Sequence, residues 1–336
     1  MSRLRVGVIG CGSWGRNHVR TVAALPDAEL AAVCDASEAV RGRIARAYPA
    51  ATVTDDPRKL LGMVEAVVIA TPAVTHADLA RQAIAAGVPA LVEKPFALSV
   101  ADAEDVAERA ETAGVPVMAG HLLVYHPVVE HLRQLVAELR LGQVYYLYSQ
   151  RVNLGQVRPD ENALWSFGPH DVSVALYLLD QAPVNVTAVG KSYLQRGIED
   201  VVFLTMEFAS GVLAHVQLSW LDPHKERKLT VVGSKQMAVF DDMQAREKLR
   251  IYDKGVDRPP EYGSYGESLQ IREGDIYIPR VPGSEPLALE LGHFVKVARR
   301  ETTARSGAAD GVRVVRVLEA ATESLNNLGQ PIGVTS

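Results

Sequence analysis

Six residues near the start, Gly10-Cys11-Gly12-Ser13-Trp14-Gly15, sit between a short apolar run and a helix-like stretch and admit few folds. A Gly-x-Gly-x-x-Gly alone says little. In this chain Leu4–Ile9 reads as a buried strand and Asn17–Leu25 as a helix, which is the setting the motif needs. The glycines then allow a tight turn and bring backbone N–H groups to a pyrophosphate at a helix N-terminus. Glu29–Cys34 reads as the next strand, and Asp35 closes it 20 residues beyond Gly15. A carboxylate at that place hydrogen-bonds the adenosine ribose hydroxyls and repels a 2′-phosphate, which favours NAD over NADP. Gly10, Cys11, Gly12, Ser13, Trp14, Gly15 and Asp35 form the first candidate cofactor set. Cys11 and Cys34 are the only cysteines, too few for a disulfide framework, and read as small buried residues.

The alternation continues. Ala66–Ala70 is an apolar strand, helix Ala77–Ala86 leads to strand Pro89–Val92, and helix Val100–Ala113 leads to strand Val115–Ala119. Near-continuous apolar strands separated by helices predict a doubly wound α/β domain with a parallel sheet. Ligands bind outside the carboxyl ends of such strands. Two loops there add Thr71 and Pro72, with His76 after them, and Glu93 and Lys94 before Pro95. His76 suits a helix start or a cofactor ribose equally. Lys94 lies just past a buried strand, fixed before a proline that favours extended backbone, although a solvated loop lysine also fits.

Beyond residue 122 the rhythm changes. A helix over Pro127–Leu139 precedes strand Val144–Val152, and a helix around Asp171–Leu179 precedes strands Val184–Val189, Val201–Phe208, Gly211–Ser219, Lys228–Val232 and Met237–Phe240. Strands in succession predict an α+β domain with a mostly antiparallel open sheet. Residues 253–284 read as a long excursion, and helices Leu287–Arg300 and Gly311–Leu328 follow. The 336 residues suit two domains, at about 150 residues each. A net charge of -5 without a basic run argues against nucleic acid. No stretch is apolar enough for a bilayer and the first residues hold no signal-peptide block, so a cytoplasmic protein is expected. An aromatic strand at Tyr145–Tyr148 on an open sheet suggests a homodimer or homotetramer.

The segment from Asn153 to Asp171 is the most informative of the second half. Asn153, Arg158, Asn162 and Trp165 offer amide, guanidinium and ring contacts of the kind sugars and phosphates need. Pro169 suits a first helical turn, which would place His170 there and keep it neutral beside the helix dipole. Taken alone, His170 fits a hydrogen-bonded structural histidine better than a base. No metal site is expected: His126 and His131 face different sides of a helix.

Gly10–Gly15, Asp35, Ala70-Thr71-Pro72, Glu93-Lys94-Pro95 and Gly168-Pro169-His170-Asp171 together resemble the Gfo/Idh/MocA oxidoreductases over essentially the whole chain. Residues 12–18, Gly120–Pro127 and the Asn153–Asp171 stretch are most similar to a branch that oxidises the C3 hydroxyl of UDP-N-acetylglucosamine or its uronate. The resemblance implies an NAD-binding Rossmann domain over 1–122 and a substrate and oligomerisation domain over 123–336. It implies hydride transfer from a sugar carbinol, with Lys94 near the nicotinamide and the reacting hydroxyl and His170 the second polar group there. Pro95 would follow a cis peptide bond. Tyr125 and the Asn153–Trp165 stretch would grip the sugar, with Arg158 meeting a diphosphate or a carboxylate. Ser166 stands where many relatives carry Asp, and a serine cannot hold the charge that raises histidine basicity. The competing readings are a dehydrogenase of a free sugar or inositol and a non-catalytic NAD-binding sensor.

Overall fold

The computed structural model describes residues 2–155, 158, 161–257 and 270–334. Strands β1 (Leu4–Ile9), β2 (Ala28–Cys34), β3 (Thr52–Thr54), β4 (Ala66–Ile69), β5 (Ala90–Glu93) and β6 (Val117–Gly120) form a parallel sheet in the order β3-β2-β1-β4-β5-β6. Every residue of β4, β5 and β6 is buried. A sheet covered on both faces requires this, and it is why these strands read as unbroken apolar runs. Helices α1 (Gly15–Ala24), α2 (Glu38–Ala47), α3 (Pro57–Leu61), α4 (His76–Ala85) and α5 (Val100–Ala113) are the crossovers. Local chemistry sets several of their ends. The side chains of Ser37, Asp56 and Ser99 cap α2, α3 and α5 by accepting from the N–H groups of Val40, Arg58 and Asp102. Gly114, at φ +61°, closes α5 in the left-handed conformation that only glycine adopts freely.

The next elements are α6 (Pro127–Ala137), β7 (Val144–Val152), α7 (Ala163–Leu179), β8 (Pro183–Lys191), β9 (Val201–Phe208), β10 (Leu213–Ser219), β11 (Glu226–Gly233), β12 (Met237–Asp241), β13 (Leu249–Tyr252), β14 (Gly255–Asp257), β15 (Gln270–Arg272) and β16 (Ile276–Tyr277). Then come α8 (Pro286–Ala298), α9 (Ala308–Asn326) and β17 (Ile332–Gly333). A nine-stranded sheet runs β16-β13-β12-β11-β7-β10-β9-β8-β17. Its β7–β10 pair is parallel and its other pairs are antiparallel. Helix α7 packs on β7, β9 and β10 and against α6. Tyr146, Tyr148, Phe203 and Leu213 stay exposed on strands of the same sheet.

Two compact units emerge, Met1–His126 with Ser284–Arg316, and Pro127–Gly283 with Val317–Ser336. This departs from the expected split at 122/123: α8 and the start of α9 belong to the first unit. In α8, Leu287, Leu291 and Phe294 form the apolar stripe that is buried there. Tyr125, expected in the second domain, also lies in the first unit. A further departure concerns α7, which starts at Ala163 and not near Asp171. Asn162 caps it by accepting from Trp165 N–H at 3.1 Å, and Pro169 falls inside the helix. An interior proline costs about 3 kcal/mol. Burial of Leu164, Gly168, Pro169, Val172, Ala175 and Leu176 offsets that cost. His170 is therefore a mid-helix residue, and the dipole argument for its neutrality fails. Residues 156, 157, 159 and 160 of the expected polar loop and 258–269 of the expected excursion lie outside the described residues.

Candidate active site

In the first unit β1 pairs with β2 on one side and β4 on the other, so the turns leaving β1 and β4 flank the point where strand order reverses. Gly10 has φ +85°, and a Cβ there would lie 2.7 Å from Ala70 O and Thr71 N. A Cβ at Gly15 would lie 1.9 Å from Gly10 O. The protein's own backbone thus demands both glycines. Gly12 differs: no atom of the described residues lies within 4 Å of where its Cβ would project. That open space stands at the N-terminus of α1, which no described side chain caps. Exposed N–H groups and a clear approach fit the pyrophosphate of a dinucleotide. Asp35 joins this turn, its Oδ2 accepting from Cys11 N–H at 2.7 Å and its Oδ1 from Ser37 N–H at 2.9 Å. Burial first, and then the charge of Asp35, push the Cys11 thiol up to about 12 and the Cys34 thiol up to about 11. Both are inert packing residues at neutral pH.

The other two loops are held to each other and to the fingerprint. The His76 ring is buried, with Nδ1 2.8 Å from Pro95 O and Nε2 2.9 Å from Thr71 O. It ties the Thr71-Pro72 loop to the loop after β5. The Lys94–Pro95 peptide is cis. Glu93 is the hub: Oε1 accepts from Trp14 Nε1–H and lies 2.8 Å from His18 Nε2, while Oε2 accepts from Lys94 N–H at 3.0 Å. The strand end that presents Lys94 is thereby fastened to the fingerprint residue Trp14 and to α1. Burial alone would raise the Glu93 carboxyl, but the His18 contact, then Trp14 and the Lys94 N–H, hold it below the usual range. Lys94 itself is half-buried.

Sequence reasoning missed the groups behind this hub. His121 is buried, and desolvation lowers it to about 4 although Glu93 pulls the other way. Glu290 of α8 is fully buried, neither carboxyl oxygen is hydrogen-bonded among the described residues, and burial followed by the charge of Glu93 raises it well above the carboxylate range. The two carboxyls are thus shifted in opposite directions, Glu93 down by its partners and Glu290 up by burial. A signal existed for Glu290: it occupies a core-facing position among Leu287, Leu291 and Phe294. Tyr125 is buried in the same unit, its hydroxyl 3.0 Å from His293 Nδ1 and 3.3 Å from Ser306 Oγ, with Arg305 over its ring.

In the second unit the polar atoms of several candidates are already engaged. Asn162 caps α7 and its Nδ2 donates to Glu199 at 2.8 Å. Trp165 Nε1 donates to Thr322 Oγ1 at 3.0 Å, and Arg158 pairs with Glu161 at 2.8 Å. Asn153 Oδ1 accepts from Arg227 Nη2 at 2.7 Å. Asp171 is buried and accepts from the Arg151 guanidinium. His170, one residue before it, is half-buried on the same helix. Ser166 is buried four residues before His170.

Residues 4–121 match the oxidoreductase family with an NAD-binding Rossmann fold, and residues 129–239 match the Gfo/Idh/MocA C-terminal domain. The inositol 2-dehydrogenase 2 of Saccharopolyspora erythraea is 34% identical over 64% of this chain and 66% of its own length. The UDP-N-acetylglucosamine 3-dehydrogenase of Acidithiobacillus ferrooxidans is 29% identical over 96% of both chains, and its solved structure covers 98% of this chain and 99% of its own with a TM-score of 0.83. GenD2 from gentamicin A biosynthesis, solved in complex with NAD, is 26% identical and covers 100% of this chain and 97% of its own with a TM-score of 0.83. With the glycine turn, the parallel order β3-β2-β1-β4-β5-β6 and both family domains in sequence, the chain belongs to the Gfo/Idh/MocA family of NAD-binding oxidoreductases.

Proposed function

We propose that the protein oxidises a secondary hydroxyl of a sugar, namely C3 of a UDP-linked N-acetylhexosamine or its uronate. The observation that carries this reading is the Glu93 hub. It fixes Lys94 at the carboxyl edge of the parallel sheet and, through Trp14, ties it to the cofactor turn. Supporting it is the full-length similarity to a UDP-N-acetylglucosamine 3-dehydrogenase.

Bound NAD supplies the hydride acceptor. Gly12 leaves room for its pyrophosphate, α1 offers N–H groups, and Asp35 receives the adenosine ribose. Ser13 lines that turn, while Thr71 and Pro72 border the cofactor and are held by His76. Lys94 in its neutral form takes the hydroxyl proton, or in its charged form stabilises the developing alkoxide, as hydride leaves the carbon. His170 assists as base or relay, and because Ser166 gives it no carboxylate, Lys94 carries most of that work. Arg158 and Trp165 contact the sugar by guanidinium and ring face, and Tyr125 shapes the wall beside Ser306. The exposed Tyr146, Tyr148, Phe203 and Leu213 pack against a second copy of the chain in a cytoplasmic homo-oligomer.

A neutral polyol is the competing substrate class, favoured by the 34% identity to an inositol 2-dehydrogenase. NADH absorbance after mixing enzyme and NAD with UDP-N-acetylglucosamine, its uronate or myo-inositol separates the two. A signal with a nucleotide sugar supports the proposal, and one with inositol alone overturns it. Lys94→Met is expected to lower kcat by about 10²–10⁴ while NAD still binds.

A further inference from the structure

The second unit carries a positive charge that nothing in the reaction so far uses. Side chains alternate along β11, and Leu229 and Val231 are buried on the side that Arg227 shares. The guanidinium of Arg227 lies over the Phe167 ring of α7, with Cζ 5.2 Å from its centroid. Nη2 donates to Asn153 Oδ1 at 2.7 Å and Nη1 to Glu226 O at 3.3 Å. Directly opposite in the strand register stands Arg151. Arg151 holds Asp171 through both Nε and Nη2. Among the described residues, no carboxylate forms an ion pair with Arg227. Burial first, then the charge of Arg151, lower Arg227 to about 10 despite the opposing charges of Asp171 and Asp242.

Among the described residues this half-buried cation has no ion-pair partner, which is unfavourable by itself, and only its Nη1 and Nη2 are engaged. Asn153 and Phe167 fix its plane from two sides. A pre-set guanidinium fork is the geometry that recognises carboxylate or phosphate oxygens in pairs. The same strand face leads to α7, which carries His170.

We propose that Arg227 binds an oxyanion of the substrate, a carboxylate or a phosphate, and that Asn153 positions it. This rests on the sugar-oxidation reading for the identity of the ligand and narrows the substrate to an anionic one. Asn153, expected to touch the sugar itself, acts through Arg227. The sequence held a faint sign, since Arg227 occupies an inward position of a strand whose next inward residues are Leu229 and Val231.

The test is binding calorimetry on NADH-saturated protein with UDP-N-acetylglucosamine, its uronate, D-glucuronate and inorganic phosphate. Wild type is compared with Arg227→Gln and Arg227→Lys, and NADH affinity reports folding. At least one anion is expected to bind, weakened about 10–100-fold by Gln and less by Lys, on the scale of one charge-assisted contact. Loss confined to the uronate and glucuronate assigns a carboxylate, and loss shared by both nucleotide sugars and phosphate assigns a phosphate. If Arg227→Gln does not fold, Arg227→Met keeps the stem packed on Phe167 and serves instead. Equal affinities in wild type and the neutral variants, or no binding of any of the four, overturns the proposal. Oxidation of neutral polyols alone would refute the nucleotide-sugar reading separately, because the anion titration does not depend on turnover.

Discussion

Replacing Glu93 by Gln keeps the shape of the hub and removes one acceptor. In the wild type Oε1 serves Trp14 and His18 while Oε2 serves the Lys94 N–H. A glutamine must turn its NH2 towards one side. Facing Lys94, it sets donor against donor; facing Trp14 and His18, it forfeits both contacts. The cheaper choice loses one charge-assisted bond of roughly 1.5–3 kcal/mol and leaves buried donors unpaired at roughly 1–3 kcal/mol. Removing a buried charge returns part of this, leaving a net loss of about 2–3 kcal/mol. At about 2–4 °C per kcal/mol for a domain of this size, Tm falls by roughly 4–12 °C. The pH dependence gives the sharper check. Hydrogen bonds hold the folded carboxyl below its usual 4.5, so its contribution is complete above that value and is lost as pH falls through the folded value. The gap between wild type and Glu93→Gln should therefore be full at pH 7 and shrink below pH 4.5. Melts of both proteins across that range measure it. A gap under a degree at neutral pH, or one that widens on acidification, refutes the reasoning.

Other perturbations probe separate parts of the account. Gly12→Ala should leave Tm unchanged, since its Cβ meets nothing within 4 Å, yet weaken NAD about tenfold or more in a fluorescence titration. Gly15→Ala, whose Cβ would sit 1.9 Å from Gly10 O, should fail to fold or melt far lower, and equal melts for the two variants would contradict the division of roles. Asp35→Ala removes a charge that repels a 2′-phosphate, so the NAD over NADP preference in kcat/KM should shrink by about 10–100-fold. Glu290→Met replaces a buried carboxyl that has no hydrogen bond among the described residues and should raise stability by about 1–3 kcal/mol. Because burial raises the folded value of Glu290, its favourable contribution is present at low pH and lost on raising it, so the gain from Met should be larger at pH 8 than at pH 4.5.

The first unit was legible because its signals are local. Buried parallel strands such as Ala66–Ile69 must be apolar throughout, and the glycine turn must follow one of them. The antiparallel character of the second sheet was legible from strands in succession. What escaped were relations between residues far apart in sequence. Nothing near residue 290 tells that α8 returns to the first unit, so Glu290 and its coupling to Glu93 were invisible as a pair. Pro169 marked a helix start by its usual preference, yet burial of α7 on nearly every side outweighed the proline. By residue type Asn162 and Trp165 read as free to bind ligand. Their partners, Glu199 and Thr322, lie 37 and 157 residues away, and only folding assigns them.

Hydride transfer from the sugar is the central claim, and isotope transfer tests it most directly. UDP-N-acetylglucosamine and its uronate, each deuterated at C3, are incubated with NAD and the enzyme, and the reduced cofactor is recovered after denaturation for mass analysis. The account requires deuterium in NADH with one of the two sugars, and far less of it with Lys94→Met. Unlabelled NADH from the labelled sugars, or label reaching NADH equally well without Lys94, would contradict it.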